Sequence, residues 1–309
     1  MNEEDFVRGP KQRLGFAYRC VANIVRPILL LITRQKWAGE HRLPPVGGGV
    51  VVVANHISHL DPFTLAHFLW DNGRATRFLA KEGLFRIPVI GRIIASCGQI
   101  PVYRESRDAA RAYRDAVKAV REGECVVIYP EGTISRDPHL WPMTGKTGAA
   151  RVALETGCKV LPVAQWGVQS ILPPYSKRLR LVPRKLVEVR MGEPVSLDDL
   201  RGRPVTTEIM REATDRIMAA ITAELEIARG ETAPQQRFNP RSAGVPALGD
   251  PSIDEPASGD AGAAEPEAGM PVPGDPTPDV RAEDDVRDED AGSAEPRDTS
   301  SSESGEEAR

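Results

Sequence analysis

Residues 50–62 read Val-Val-Val-Val-Ala-Asn-His-Ile-Ser-His-Leu-Asp-Pro, and this stretch decides the fold. Val50 to Ala54 is a short, uninterrupted apolar run, the pattern of a strand buried on both faces in a sheet covered by helices. Asp61-Pro62 reads as a helix start, because Asp is favoured at the N-cap and Pro at the first helical position. The predicted order is strand, loop, helix, with His56 and a carboxylate at the end of the strand. A positioned imidazole that takes the proton of a poorly acidic hydroxyl contributes roughly 10²–10⁴-fold to rate, and a carboxylate can fix the ring's tautomer. Positions five apart do not share a helix face, so His56 and Asp61 meet only if the turn between them is irregular. A carboxylate has lone pairs enough to cap the helix and still accept from the imidazole.

Outward from this point, short apolar runs alternate with helical patterns. A helix is predicted from Pro62 to about Trp70 and a strand from Arg77 to Ala80. Over 106–122, Ala109, Ala110, Tyr113, Ala116, Val117 and Val120 recur at helical spacing before Gly123. Cys125 to Tyr129 reads as another buried strand, 146–156 as a helix, Val160 to Gln165 as a strand and Leu186 to Met191 as an alternating strand. An amphipathic helix from about Thr207 to Arg229 closes the body. This order predicts an α/β fold, a single domain with a largely parallel central sheet flanked by helices, whose strand ends host the site. There is no internal repeat.

The composition changes abruptly near residue 230. Residues 231–309 hold 20 Asp and Glu against 6 Arg and no Lys, a net −14, so the formal −4 of the chain hides a body of +10, 34 basic residues against 24 acidic. Rich in Pro, Gly, Ala and Ser and without Trp or Tyr, residues 231–309 are predicted to be a disordered tail. Such a tail either solvates the protein or competes with anionic ligands for the basic body. Cys20, Cys97, Cys125 and Cys158 form no C-x-x-C pair, which argues against a zinc cluster and fits a reducing compartment. Glu3, Glu4 and Asp5 stand where a secretory signal would carry cations, so no such signal is expected.

Residues 14–33 are apolar but broken by Arg19, Arg26 and Pro27, and they fall short of a spanning segment. With Arg8, Lys11, Arg13, Arg34 and Lys36 around them, they suit an amphipathic helix lying in the membrane plane, or one packed on its own domain. The expected organisation is a membrane-associating segment over 1–36, a catalytic domain over 37–230 and the acidic tail. A second basic cluster, Lys177, Arg178, Arg180, Arg184 and Lys185, suits an anionic membrane surface. No nucleic-acid motif or aromatic interleaving accompanies it, so nucleic acid is not an expected partner.

Two further constellations carry chemistry. Lys81-Glu82-Gly83-Leu84-Phe85-Arg86-Ile87-Pro88-Val89-Ile90-Gly91 runs on to Gly98-Gln99-Ile100-Pro101-Val102-Tyr103-Arg104. Lys81 and Arg104 suit a phosphate, Arg as a planar fork and Lys as a mobile point charge, and each read alone is equally a solvated surface cation. Tyr129-Pro130-Glu131-Gly132-Thr133-Ile134-Ser135-Arg136 lies just past a strand. Gly132 permits close backbone approach, Thr133 donates a hydrogen bond, and Glu131 binds a hydroxyl or anchors a cation. Lys146 and Gly148 either support the same pocket or simply open the next helix.

N-H-x-x-x-x-D at 55–61, K-x-x-L-x-x-x-P-x-x-G ending in G-x-I-x-x-x-R at 81–104, P-E-G-T at 130–133 and Val160-Leu161-Pro162-Val163-Ala164 together resemble the four ordered blocks of the glycerolipid acyltransferase family. The resemblance covers roughly residues 35–200 and is strongest to the bacterial 1-acylglycerol-3-phosphate acyltransferases. It implies transfer of an acyl chain from an acyl-CoA or acyl carrier protein thioester to the free hydroxyl of a lysophospholipid, lysophosphatidate, giving phosphatidate in phospholipid biosynthesis. It further implies His56 as general base, Asp61 as its orienting partner, Lys81 and Arg104 on the acceptor's phosphate, and Glu131, Gly132 and Thr133 in the acceptor pocket. Many members carry Arg directly after E-G-T, where this chain has Ile134 with Arg136 two residues on, so Arg136 is the candidate for that phosphate contact. No metal or other cofactor is implied, and the enzyme would work at the cytoplasmic face of the cell membrane.

Rival readings are a different hydroxylated lipid as acceptor, a lipid-binding protein without turnover, and a metal-dependent hydrolase using His56, His59 and Asp61. Against the last, His41, His67 and His139 form no second cluster of ligands.

Overall fold

In a computed structural model of the chain, residues 15–102, 106–240 and 242–244 are described. In chain order the regular elements are α1 (Phe16–Ile32), β1 (Thr33–Ala38), β2 (Val50–Ala54), α2 (Asp61–Asp71), β3 (Thr76–Lys81), α3 (Ile90–Ser96), β4 (Ile100–Val102), α4 (Ser106–Arg121), β5 (Cys125–Ile128), α5 (Gly148–Thr156), β6 (Lys159–Trp166), β7 (Lys185–Met191) and α6 (Thr207–Arg229). Seven strands form one sheet in the order β1-β7-β6-β2-β5-β3-β4. Every pairing is parallel except β6 with β7, so β7 and β1 run opposite to the other five. The fold is the α/β type, with helices on both faces of a largely parallel sheet.

The apolar run at 50–54 works as a two-faced strand. Val51 and Val53 point into one core with Ala116 and Val120 of α4, Ala149 and Ala153 of α5, and Ile217 and Ile221 of α6. Val50, Val52 and Ala54 point into the other, against Leu65, Phe68 and Leu69 of α2. All five residues of β2 are fully buried. Burying a Val side chain is worth about 1.5–3 kcal/mol, so this strand is the axis of both cores.

Topology sets the position of the site. From β2 the chain crosses towards β3 and β4, returns to β5 at one side of β2, then passes to β6 at the other. The loops leaving β2 and β5 therefore open a crevice at the carboxyl end of β2, the switch point where parallel α/β sheets take ligands. Because β7 and β1 are reversed, the residue 167–184 connection, the start of β1 and the last turn of α1 lie at that same end. So do residues 82–90, which follow β3. At the opposite end the guanidinium of buried Arg74 donates to the carbonyls of Pro44, Pro45, Gly48 and Gly123, tying the loops there together.

Three expectations change. β1 straddles the 36/37 boundary and pairs with β7 from Thr33↔Lys185 to Ala38↔Arg190, so the sheet takes in residues assigned to the membrane segment. Its sequence, Thr-Arg-Gln-Lys-Trp-Ala, is a polar edge strand and carries none of the apolar pattern that identifies the central ones. β7 alternates in sequence, but Val187, Glu188 and Val189 are all buried, because it is an interior strand of the sheet. Residues 231–240, assigned by composition to the tail, pack back on the body: Thr144 N–H donates to the Phe238 carbonyl at 3.0 Å and Ala233 N–H to Glu226 Oε1 at 2.8 Å. Apart from residues 242–244, the rest of the expected tail lies outside the described residues.

α1 packs by one face only. Tyr18 stacks on Trp70 at 5.6 Å and its hydroxyl meets Thr76 Oγ1 at 3.1 Å. Arg26 forms a two-point ion pair with Asp71 at the end of α2, at 2.7 and 3.2 Å. The opposite face leaves Phe16, Ile24, Ile28 and Leu31 exposed. Among the described residues no helix is long and apolar enough to cross a membrane.

Candidate active site

The irregular turn required between His56 and Asp61 is present. Residues 55–57 leave the strand without regular structure, and a tight turn through Ser58 to Asp61 begins α2. Asp61 is the first residue of α2, with Leu60 in the cap position, so the expected capping role is corrected: the carboxylate points back into the loop. Its Oδ2 accepts from Ile57 N–H at 2.5 Å, Ser58 N–H at 2.7 Å and His56 Nδ1 at 2.8 Å. With two backbone N–H groups already on Oδ2, His56 Nδ1 must be the donor of the third bond. In the neutral ring Nε2 is then the acceptor, the state a general base needs.

The backbone of His56 is gripped from both sides. Its N–H donates to Glu131 Oε1 at 3.1 Å and its carbonyl accepts from Ser135 N–H at 2.7 Å. The ring lies 4.3 Å from the Tyr129 ring at an interplanar angle of 21°. Asn55 continues the sheet ladder with its side chain, donating from Nδ2 to the Gln165 carbonyl and accepting from Gln165 N–H on Oδ1, at 3.0 and 2.8 Å. Asn55 and Tyr129 thus stand among the residues that position His56, and sequence reasoning gave neither a role. The Asn at the head of N-H-x-x-x-x-D was the only signal.

Glu131 is buried, and its second oxygen accepts from Met143 N–H at 3.0 Å. It ties the His56 loop to the Met143 region. Burial pushes its carboxyl up to about 8 against the pull of the Met143 and His56 N–H groups. The ordinary value is 4.5, so between about pH 4.5 and 8 the folded chain holds a proton that the unfolded chain has released. The resulting stability is full at low pH and is lost as pH rises through about 8. In thermal melts from about pH 5 to about pH 8, wild type is expected to lose stability more steeply than Glu131→Gln. Parallel curves would mean that Glu131 is ionised throughout.

The remaining candidates are placed as follows. Gly132 has φ +71° and is exposed, and a Cβ there would meet Lys146 Nζ at 2.6 Å, so the Lys146 side chain lies across the E-G-T loop. Thr133 is half-buried beside it. Ile134 is buried, and Arg136 is the half-buried cation of this loop, 5.9 Å above the Tyr175 ring. Tyr175, which no sequence pattern flagged, donates its hydroxyl to the Ile134 carbonyl at 2.7 Å. Lys81 is exposed at the carboxyl end of β3, on the same edge of the sheet as His56. Gly91 packs so closely on Phe85 that an added Cβ would collide with the Phe85 carbonyl, which accounts for the glycine that closes the second block. Arg104 lies outside the described residues. His59 is exposed, and among the described residues no group of three His, Cys, Asp or Glu side chains is placed to hold a metal ion.

Residues 34–166 match the family model described as Acyltransferase. A chloroplastic 1-acyl-sn-glycerol-3-phosphate acyltransferase of Brassica napus is 35% identical over 140 residues, 45% of this chain and 39% of the relative. The enzyme of that name from Borreliella burgdorferi is 35% identical over 129 residues, 41% and 49% of the two chains. The match thus spans less than half of either relative. The Bacillus subtilis protein of the same name is 26% identical over 213 residues, 68% of this chain and 98% of the relative. In fold, the chain is similar to the crystal structure of the 1-acyl-sn-glycerophosphate acyltransferase PlsC from Thermotoga maritima, with a TM-score of 0.51 and 23% identity over 70% of this chain and 83% of that one.

Proposed function

We propose, from the match of residues 34–166 to the family model described as Acyltransferase, that this chain transfers an acyl group from a thioester to the free hydroxyl of 1-acylglycerol-3-phosphate, with His56 as general base. The observation that carries the reading is His56 held through Nδ1 on Asp61 at 2.8 Å, with Nε2 left to accept a proton. Nε2 takes the hydroxyl proton as the oxygen forms its bond to the thioester carbonyl carbon. The tetrahedral oxyanion then collapses, the carbon–sulfur bond breaks, and the imidazolium returns its proton to the departing thiolate. The step consumes no water, metal or nucleotide, and either coenzyme A or acyl carrier protein can be the thiol that leaves.

Lys81, Arg104 and Arg136 are the proposed contacts to the acceptor's phosphate, with Gly132 and Thr133 lining the acceptor's side of the crevice. Ile134, buried where many relatives would carry Arg, moves the cation of that loop to Arg136. The membrane reading is supported by the exposed apolar face of α1, whose last turn lies at the site end of the sheet. The test is thiol release by the purified full chain in detergent, given lysophosphatidate and either acyl-CoA or acyl carrier protein thioester. Release with lysophosphatidate and little with the same lipid lacking its phosphate is expected. Equal rates with both acceptors would remove the phosphate from the reading, and no release with either would remove the reaction.

A further inference from the structure

Thirteen of the seventeen large hydrophobic side chains exposed among the described residues fall in three segments: α1, residues 84–93 and residues 179–186. Sheet topology brings the last turn of α1, residues 84–90 and residues 179–186 to the end that carries His56. The third segment differs from the others in its charge. Residues 177–184, Lys-Arg-Leu-Arg-Leu-Val-Pro-Arg, are exposed without a break, with Leu179 at 57% and Val182 at 88%. Lys177, Arg178, Arg180, Arg184 and Lys185 make no ion pair among the described residues. A water-facing loop gains nothing from Val182 and Leu179, whereas a bilayer interface takes apolar side chains and cations together.

We propose that residues 177–186 form a second membrane contact, separate from the apolar face of α1, that selects bilayers rich in anionic headgroups. Leu179 and Val182 enter the interface while Lys177, Arg178, Arg180 and Lys185 meet headgroup phosphates. The two contacts form one surface, because Arg184 Nη2 donates to the carbonyls of Leu30 and Thr33, each at 2.7 Å, and so fastens the loop to the end of α1. The base of the loop also braces the site. Ser58 Oγ donates to the Leu172 carbonyl and Tyr175 to the Ile134 carbonyl, each at 2.7 Å. The segment that meets the membrane is therefore joined to both loops that frame His56. The assignment rests on the reading of this chain as an enzyme of lipid acceptors.

The test uses the full chain and sedimentation with vesicles of phosphatidylcholine alone or of three parts phosphatidylcholine to one part phosphatidylglycerol. A cation near an anionic surface is worth about fivefold in binding, so replacing Lys177, Arg178, Arg180 and Lys185 together with Gln should weaken binding to the mixed vesicles on the order of 10²–10³-fold. Binding to phosphatidylcholine alone should stay as in wild type, and high salt should remove the wild-type preference. Val182→Asp should weaken binding to both vesicles. A four-Gln variant that binds mixed vesicles as wild type does overturns the assignment, and so does wild type binding duplex DNA more tightly than mixed vesicles through these same cations. Thiol release in detergent needs no bilayer. A chain that shows the vesicle preference but no acyl transfer defeats the enzymatic reading alone, and active wild type with no preference for mixed vesicles defeats the loop alone.

Discussion

His56→Ala is expected to lower kcat on the order of 10²–10⁴-fold while leaving KM and the melting temperature close to wild type. The substitution removes the group proposed to take the hydroxyl proton, yet the backbone at 56 is held by Glu131 Oε1 and Ser135 N–H, bonds an alanine keeps. Asp61 Oδ2 retains two N–H donors without the ring, so no buried carboxylate oxygen is newly orphaned. What is lost structurally is the stacking on Tyr129, worth about 0.5–1.5 kcal/mol. Steady-state thiol release and a thermal melt on the same preparation check both halves. Equal turnover by the two proteins would remove His56 as the base, and a collapsed melt would show the ring to be a structural element.

The fold was legible where burial is two-sided. β2, β5 and β6 are unbroken apolar runs because both faces of each are covered, and α6 was read from about Thr207 to Arg229, which the structure closes with Thr206, whose Oγ1 accepts from Ile209 N–H, and with Gly230 at φ +67°. β1 was not legible, since an edge strand gains its place from pairing and needs no apolar stripe. At the site, the pairing of His56 with Asp61 was readable and the long-range contacts around it were not. Asp61 reads as a cap because Asp-Pro opens helices, yet the loop before it offers two N–H groups that a forward-pointing cap would abandon. Glu131 reads as a ligand contact because it follows a strand, yet its two oxygens satisfy N–H groups from residues 75 and 12 positions away. Such long-range partners leave no trace in local spacing. The same holds for Tyr175, whose bond to the Ile134 carbonyl spans 41 positions.

Asp61→Asn separates charge from geometry at this site. In Ser-His-Asp enzymes the corresponding change costs about 10⁴-fold, because the amide presents the wrong partner to the ring and switches its tautomer. Here the orientation of an amide is fixed in advance. Ile57 and Ser58 N–H both point at the Oδ2 position, so the amide oxygen must sit there and the NH₂ group takes the place of Oδ1. His56 Nδ1–H still finds an acceptor, and Nε2 keeps its lone pair. What disappears is the negative charge beside the imidazolium that the proposed transfer would form, and charge-assisted hydrogen bonds are roughly twice as strong as neutral ones. The expected loss in kcat is about 10–10²-fold, smaller than for His56→Ala, with KM little changed. Oδ1 is buried without a partner among the described residues, so the NH₂ group there adds unsatisfied donors and should cost about 1–3 kcal/mol of stability. Asp61→Ala, by contrast, abandons both Ile57 and Ser58 N–H and should lose activity as fully as His56→Ala, with a larger fall in melting temperature. If Asp61→Asn were as inactive as His56→Ala, the tautomer would be switching despite the two N–H groups, and their part in setting it would be refuted.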